Sequence, residues 1–291
     1  MRGAERDSRG TREARYSLAR WRPVAVDDLI RVGRAHDGGY VVSRRCVDAS
    51  RVLVGMGIND DWSFEEDFQR RNPAVRVIGA DGSVSGATFD GRATQARMSA
   101  IGYFLHLKRW YMRDRMREAA HWRERARAFR AFFEEGDRVL HQKFVSDFDD
   151  ESHVTWSTLC RLEPILGTVA PVPTIFAKVD IEDDEYRVLG DMLEDAGRLN
   201  GLVIEFHDCD ILWDRFADLM DRAQEYFAVV HVHGNNWSPL IRGTNVPRTL
   251  EVSLVNRTLL GAPLSPTTAS YPLPGLDMPN HPQRPDYRLA F

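Results

Sequence analysis

Short apolar runs alternate with amphipathic segments along most of the chain. The runs are bounded by turn-forming residues, which is typical of strands, while the segments between them have helical spacing. The predicted strands span residues 51–56, 75–80, 138–145, 174–180, 202–207, 227–233 and 249–255. The predicted helices span residues 62–70, 157–166 and 213–223, and a further helix follows the strand at 174–180 and ends at 193. Strands separated by helices predict an α/β fold with a mainly parallel sheet covered on both faces. The last two strands have no helix between them, so we expect the final strand to be antiparallel.

A long helical segment at about residues 96–134 interrupts this alternation. It contains no proline, and Gly102 is its only glycine. Apolar residues recur at helical spacing, with arginine and glutamate on the other faces, which predicts one or two amphipathic helices inserted into the domain. Two compatible interpretations stay open. The helices are a solvent-exposed insertion that caps the core, or they form a lid over the cofactor cleft or a homodimer element, with Arg109, Arg113 and Arg117 along one face.

The two ends of the chain differ in composition from the predicted domain at 23–262. Residues 1–22 hold many arginines and few apolar residues, which is typical of a flexible arm, either a disordered tail or a binding arm. Residues 263–291 are rich in proline. We expect this tail to wrap the surface without regular structure, because proline cannot continue a helix or a central strand.

Composition excludes several classes of protein. A hydrophobic content of 43% in 291 residues supplies a full core, which excludes wholesale disorder. The formal net charge of −4 gives no overall attraction to nucleic acid or to an anionic membrane. No apolar run reaches the roughly 20 residues that span a bilayer, and no secretory signal is expected. The three cysteines are widely spaced, which favours free thiols in a reducing cytoplasm.

The first predicted strand ends in a Gly-x-Gly turn. Gly55 and Gly57 are followed by a helical segment and a second strand that ends on Asp81. These are the parts of a nucleotide-binding βαβ unit, in which glycines let the backbone approach the ligand and the carboxylate accepts the ribose hydroxyls. Asp60 stands where a third glycine would support a pyrophosphate. This favours an adenosine ligand without phosphates, such as S-adenosylmethionine, over NAD, although an ordinary tight turn stays the alternative.

Acids and histidines follow the later strands. In such a sheet, ligands bind outside the carboxyl ends of the strands. The residues predicted there are Asp180 and Glu182 after the fourth strand, Glu205, His207 and Asp208 after the fifth, and His231, His233, Asn235 and Asn236 after the sixth. His207 is the best candidate for a proton acceptor, because an unperturbed imidazole has a pKa of about 6.5.

These residues also have alternative roles. Asp180 and Glu182 suit a helix N-terminus, and His231 and His233 share a strand face, where histidines are often core residues. The set Asp180, His207 and His233 offers oxygen and nitrogen ligands for a divalent cation such as Mg²⁺, which would polarise a hydroxyl.

Several separate motifs resemble the FkbM-like family of S-adenosylmethionine-dependent methyltransferases. They are RVGRAHDGGY at 31–40, GMGINDDWSFE at 55–65, KVDIEDDE at 178–185, VIEFH at 203–207, HVHGNN at 231–236 and VPRTLE at 246–251. The resemblance covers about residues 31–254 in order. It implies the Rossmann-like, seven-stranded fold of class I methyltransferases with an antiparallel last strand.

The resemblance also implies roles for individual residues. Gly55 and Gly57 would flank the methionine moiety, Asp81 would hold the ribose, Asp147 would approach the adenine, and Asp180 would lie beside the methyl donor. The family commonly has Glu-Gly after the fourth-strand aspartate, where this chain has Glu-Asp at 182–183. The long helical insertion lies outside the family pattern.

We therefore expect O-methylation of a hydroxyl on a sugar, polyketide or other small natural product, with no nucleic-acid partner. His207 would be the first candidate for the general base, and Asp180 or Glu182 the second. A nicotinamide-dependent oxidoreductase is an alternative, which the missing third glycine and the absence of a Tyr-x-x-x-Lys pair oppose. A non-catalytic binding module with the same fold is the other alternative.

Overall fold

The computed structural model describes residues 14–106, 108–167, 172–182 and 184–291. The strands are β1 (Leu29–Val32), β2 (Tyr40–Ser43), β3 (Val52–Met56), β4 (Arg76–Ala80), β5 (Val139–His141), β6 (Phe144–Val145), β7 (His153–Val154), β8 (Ile175–Val179), β9 (Leu199–Phe206), β10 (Phe227–Gly234) and β11 (Leu250–Asn256). The helices are α1 (Arg44–Ala49), α2 (Ser63–Arg71), α3 (Gly86–Leu105), α4 (Arg109–Phe129), α5 (Trp156–Leu162), α6 (Pro164–Gly167), α7 (Glu185–Glu194) and α8 (Trp213–Ala223).

The main sheet has seven strands in the order β10-β11-β9-β8-β3-β4-β5. The pairs from β9 to β5 are parallel, while β11 is antiparallel to both β9 and β10. This confirms the predicted mainly parallel sheet with an antiparallel last strand. The strand order reverses between β3 and β8, so a ligand crevice is expected at the carboxyl ends of these two strands.

Apolar side chains fill the space on both faces of this sheet. On one face β3, β8 and β9 pack against α5, α7 and α8, with Trp156, Leu189 and Phe216 fully buried. On the other face, Phe64 and Phe68 of α2 pack against Phe176. The strands are buried along their whole length because both faces are covered, which explains their continuous apolar runs.

The β1–β2 hairpin packs against one face of the main sheet, where Val32 and Val42 join the same apolar cluster as Val203 and Val230. Its strands pair in antiparallel register from Leu29 with Ser43 to Val32 with Tyr40. The connecting turn contains Gly38 in the left-handed region, at a φ of 82°, which glycine adopts without steric cost. The hairpin places the Tyr40 side chain under the main sheet, where it is 2% exposed.

The predicted insertion is a pair of long helices. Helix α3 begins about ten residues before the predicted start, because Ser85 caps it by accepting a hydrogen bond from the Thr88 amide at 3.2 Å. Helix α4 runs back toward the body and ends in a π-helical turn at Arg130–Glu134. No helix in the described residues is long and apolar enough to cross a membrane.

The described parts of both terminal segments lie against the body. Residues 1–13 of the predicted arm lie outside the described residues, whereas Trp21 is 2% exposed and packs edge-on against Phe216 at 5.0 Å. The tail from 263 has no helix or strand element among its described residues, as expected. Tyr271 and Asn280 of this tail are buried. The tail therefore covers part of the sheet edge.

Candidate active site

The strand register brings chemically distinct residues into one row. His233, Glu251 and Glu205 are paired across β10, β11 and β9. Val179 is paired with Ile204 and with Met56, and Met56 is paired with Ala80. Asp180, Gly57 and Asp81 directly follow Val179, Met56 and Ala80, so they continue the row at the carboxyl ends of β8, β3 and β4. The row is His233, Glu251, Glu205, Asp180, Gly57 and Asp81.

A cleft of about 620 Å³ opens at the point where the strand order reverses. Gly57, Asp81, Asp180 and Glu182 line it, so the structure brings together these four of the predicted site residues. Its position outside the carboxyl ends of β3, β4 and β8 is where an open α/β sheet binds ligands.

Gly57 is required by its backbone conformation and by its neighbours. Its φ is 76°, and a Cβ atom there would lie 1.6 Å from the carbonyl oxygen of Asp180. Lys178 Nζ donates a hydrogen bond to the Gly57 carbonyl at 2.6 Å. Gly55 has a different role, because it does not line the cleft, and a Cβ there would lie 2.4 Å from Glu65 Oε1. Gly55 makes room for a buried carboxylate under the sheet.

Asp81 supports the glycine loop. Its Oδ2 accepts hydrogen bonds from the amides of Ile58 and Asn59, at 2.8 and 2.7 Å. Its Oδ1 accepts from the amide and the hydroxyl of Ser83, both at 2.6 Å. These four donors fill the usual acceptor positions of a carboxylate. A ribose hydroxyl could bind Asp81 only by replacing one of them, and the Ser83 hydroxyl is the one on a rotatable side chain.

Asp180 belongs to a buried polar network. The Tyr40 hydroxyl donates to Glu205 Oε2 at 2.8 Å and lies 3.0 Å from Asp180 Oδ2. Asn235 Nδ2 donates to the other oxygen of Glu205 at 2.6 Å. Burial, followed by the charges of Asp180 and Glu251, raises the pKa of Glu205 well above its usual value. The network therefore fixes the position of Asp180.

Lys178 provides the positive charge of this network. Its ammonium group is 3.6 Å from Asp180 Oδ2, and the residue is 4% exposed. Burial lowers the pKa of Lys178, but the charges of Asp180, Glu65 and Glu205 outweigh burial and raise the pKa above its usual value. Lys178 therefore stays protonated and links Asp180 to the glycine loop.

His207 lies behind the cleft and is held by carboxylates. Its Nδ1 is 2.5 Å from Glu185 Oε1, and its Nε2 is 3.7 Å from Glu182 Oε2. Burial of the ring lowers the pKa of His207, but the hydrogen bond and charge of Glu185, followed by the charges of Glu205 and Asp180, raise it to about 10. These contacts favour the imidazolium form of the ring, which cannot accept a proton. This geometry does not suit the general-base role predicted for His207.

Glu182 stands on a turn with unusual backbone geometry. Its φ is 52°, in the left-handed region that glycine and asparagine prefer. Its side chain is 85% exposed and reaches into the cleft opening. The family that the motifs resemble commonly has a glycine at the position after this glutamate. The departure in sequence therefore coincides with a strained turn at the cleft.

His231 and His233 are covered by the C-terminal tail. His231 Nε2 is 2.9 Å from Asp277 Oδ1, and His233 lies between Glu251 at 3.1 Å and Asp286 at 3.0 Å. Both ring nitrogens of His233 are thus engaged. Within the described ranges, no group of three or more His, Cys, Asp or Glu side chains is placed to hold a metal ion. The predicted metal set of Asp180, His207 and His233 is therefore not assembled.

Asp147 lies away from the cleft. The chain leaves the main sheet after β5, and Asp147 Oδ1 pairs with Arg187 Nη1 at 3.4 Å beside α7. The structure instead brings Phe144 of β6 and His153 of β7 to the cleft, with ring centroids 5.8 Å apart. Phe144 also lies against Gly82, where a Cβ would be 2.5 Å from its ring.

Sequence reasoning missed several residues of the site. Lys178 could have been found, because a lysine within a continuous apolar strand is an unusual buried charge. Arg92 of α3 lines the cleft, and its guanidinium lies 4.7 Å from the ring centroid of Trp122. Nothing in the local pattern of the chain indicates the contacts of Tyr40 or of Arg92, because they depend on how distant segments pack.

Comparison with known proteins gives similarities to solved structures only. No protein-family model matches the sequence, and no curated protein matches it. One similar structure is precorrin-6y C5,15-methyltransferase from Geobacter metallireducens, with 10% identity over 73% of this chain and 86% of that chain and a TM-score of 0.32. Another is the rRNA methyltransferase aviRa from Streptomyces viridochromogenes, with 12% identity over 73% of this chain and 79% of that chain and a TM-score of 0.33.

Proposed function

We propose that this protein is an S-adenosylmethionine-dependent methyltransferase of the FkbM-like type, acting on a hydroxyl of a sugar, a polyketide or another small natural product. The observation that carries the proposal is the cleft where the strand order reverses, with Gly57 and Asp180 in contact at its floor and acidic side chains around it. Two of the motifs that resemble the FkbM-like family, at 55–65 and 178–185, contribute residues to the lining of this cleft.

The charge of the cleft favours a sulfonium cofactor. Asp180, Glu182 and Asp184 line the cleft together, after β8. These carboxylates would attract the positive sulfonium and amino groups of S-adenosylmethionine and would repel the pyrophosphate of NAD. The turn before α2 also carries Asp60 and Asp61, which opposes a phosphate at that helix N-terminus. The nicotinamide alternative is therefore disfavoured by the same site.

The residues of the cleft fit the parts of such a cofactor. Gly57 admits backbone contact with the methionine moiety, Asp81 with Ser83 offers polar groups for the ribose, and Phe144 offers an aromatic face for the adenine. S-adenosylmethionine, when bound, supplies an electrophilic methyl group. We therefore assign to Phe144 the contact with the adenine that the resemblance implies for Asp147.

Asp180 is the proposed acceptor of the proton from the substrate hydroxyl. It lines the cleft, and its position is fixed by the contacts with Tyr40 and Lys178. A positioned general base contributes typically ~10²–10⁴-fold to such a transfer. The protonated His207 would instead hold Glu185 and Glu182 in place through charge. Glu182, at the opening, is the second candidate for the base.

Binding measurements on two glycine variants test the proposal. A methyl group at Gly57 would collide with the Asp180 backbone, whereas one at Gly197 would meet nothing within 4 Å. We expect wild type and Gly197→Ala to bind S-adenosylmethionine in equilibrium dialysis, and Gly57→Ala to lose at least tenfold in affinity while staying folded by circular dichroism. Equal binding by Gly57→Ala would show that the cofactor lies elsewhere, and no binding by wild type would favour the non-catalytic module.

A further inference from the structure

The far end of the α3–α4 hairpin exposes a concentration of large apolar side chains. We define the hairpin tip as residues 98–106 and 108–117. Of the large apolar side chains exposed in the described parts of the chain, seven lie in this tip, among them Leu105 and Trp110, which are 73% and 72% exposed. Monomeric proteins rarely expose large contiguous apolar patches, so this concentration of exposed apolar side chains indicates a binding surface.

Helix α3 is apolar on two opposite sides. Ala93 and Ala100 lie on the side that faces the core and are 3% and 1% exposed. Met98, Ile101 and Leu105 recur at positions i, i+3 and i+7 on the opposite side, and all three are more than half exposed. A helix at a protein surface normally has one apolar stripe. The second stripe therefore needs an apolar environment that the body of this protein does not supply.

Helix α4 adds a row of positive charge beside this stripe. Arg109, Arg113 and Arg117 are spaced by four residues and so lie on one face, together with Trp110. Residues 97–117 contain six basic side chains and one acidic side chain, in a chain whose net charge is −4. Arg117 is 3.5 Å from that acid, Asp114. No ion pair within the described ranges engages Arg109 or Arg113.

We propose that the hairpin tip docks on an anionic lipid surface. The apolar stripe of α3 and the Trp110 ring would enter the headgroup boundary, while the arginine row of α4 would pair with lipid phosphates. Apolar and aromatic side chains flanked by Lys and Arg are the composition of interfacial helices. The docking is peripheral and is independent of methyl transfer.

Two other occupants fit the tip less well. A second copy docked tip to tip would bring two arginine rows together, and like charges in contact disfavour that arrangement. A nucleic acid would pair with the arginines and could stack a base on Trp110, but it would leave the apolar stripe of Met98, Ile101 and Leu105 in water. Only a surface that is both apolar and negatively charged matches the stripe and the arginine row.

Sedimentation with lipid vesicles tests the proposal on the full chain. The vesicles are phosphatidylcholine alone or phosphatidylcholine with 30% phosphatidylglycerol, at about 0.1 M salt. Leu105→Ser removes an exposed apolar side chain of the tip, and Ile211→Ser is its matched control, because Ile211 is 72% exposed outside the hairpin. Arg109→Ser with Arg113→Ser removes two charges of the row, and Arg242→Ser is an exposed control elsewhere.

We expect wild type and both controls to sediment with the anionic vesicles. Leu105→Ser should reduce the partition coefficient severalfold, and the double arginine variant should reduce it by at least about tenfold, since each basic residue near an anionic surface contributes about fivefold. Absence of wild-type sedimentation, or equal sedimentation of tip and control variants, would overturn the proposal. So would a wild-type dimer in light scattering that Leu105→Ser dissociates, or tighter binding to RNA than to the vesicles.

Discussion

Replacing Glu65 by glutamine should stabilise the protein at neutral pH and leave its stability unchanged in acid. Glu65 is fully buried beneath Gly55, and neither of its carboxyl oxygens has a hydrogen-bond partner among the described residues. Burial raises the pKa of Glu65 from 4.5 to about 6, although the charge of Lys178 opposes the shift. The folded protein therefore has an ionised carboxylate in an unfavourable place above pH 6.

The magnitude follows from the pKa shift. Each pKa unit corresponds to ~1.4 kcal/mol, so the shift of Glu65 costs the folded state about 2 kcal/mol above pH 6. Below pH 4.5 the carboxyl is protonated in both the folded and unfolded states, and this cost disappears. Between these pH values the folded protein binds more protons than the unfolded chain, so the contribution of Glu65 to stability falls as the pH rises.

Urea unfolding of wild type and Glu65→Gln at pH 4.5 and pH 8 measures the effect. The difference in unfolding free energy between variant and wild type should increase by about 2 kcal/mol from the lower to the higher pH. Glu66→Gln is the matched control, because Glu66 is the next residue of α2 and is exposed. A difference for Glu65→Gln that does not change with pH would refute the assignment of a buried, ionised carboxylate.

Four further substitutions test the site and the fold. Asp180→Asn should lower the rate of methyl transfer about 10²–10⁴-fold in a radiolabelled-methyl assay, because it removes the proposed general base. His207→Gln should lower the rate less than tenfold. A larger loss for His207→Gln than for Asp180→Asn would show that His207 is the general base. Tyr40→Phe, which removes the hydrogen bonds to Glu205 and Asp180, should destabilise the protein by about 1–3 kcal/mol in urea unfolding, and an unchanged midpoint would contradict the buried network. Trp21→Ala should cost about 3–5 kcal/mol in calorimetric unfolding, and a loss under 1 kcal/mol would mean that this segment is not docked.

The architecture of the sheet could be predicted from the sequence because its strands are buried on both faces. Continuous apolar runs such as 227–230 differ from the amphipathic pattern of 213–223, so the type and the order of the elements can be predicted. Breaks within elements were harder to predict. The helix expected over 157–166 is divided into α5 and α6 at Pro164, which cannot donate an amide within a helix.

The candidate site was predictable only in part. The row that includes Asp81 and Asp180 follows from parallel pairing, because parallel strands bring their carboxyl ends to one edge. The ion-pair partners of His233 could not be predicted, because Asp286 lies in a tail whose path is not indicated by any local sequence pattern. The high pKa of His207 likewise depends on Glu185 and Glu205, which meet the ring only in the folded protein.

Calorimetric titration of the purified full chain with S-adenosylmethionine, with NADH as the comparison ligand, tests the central claim most directly. The acidic lining of the cleft and the contact between Gly57 and Asp180 predict micromolar binding of S-adenosylmethionine and no binding of NADH. Binding of NADH in place of S-adenosylmethionine would contradict the account and assign the site to a nicotinamide cofactor.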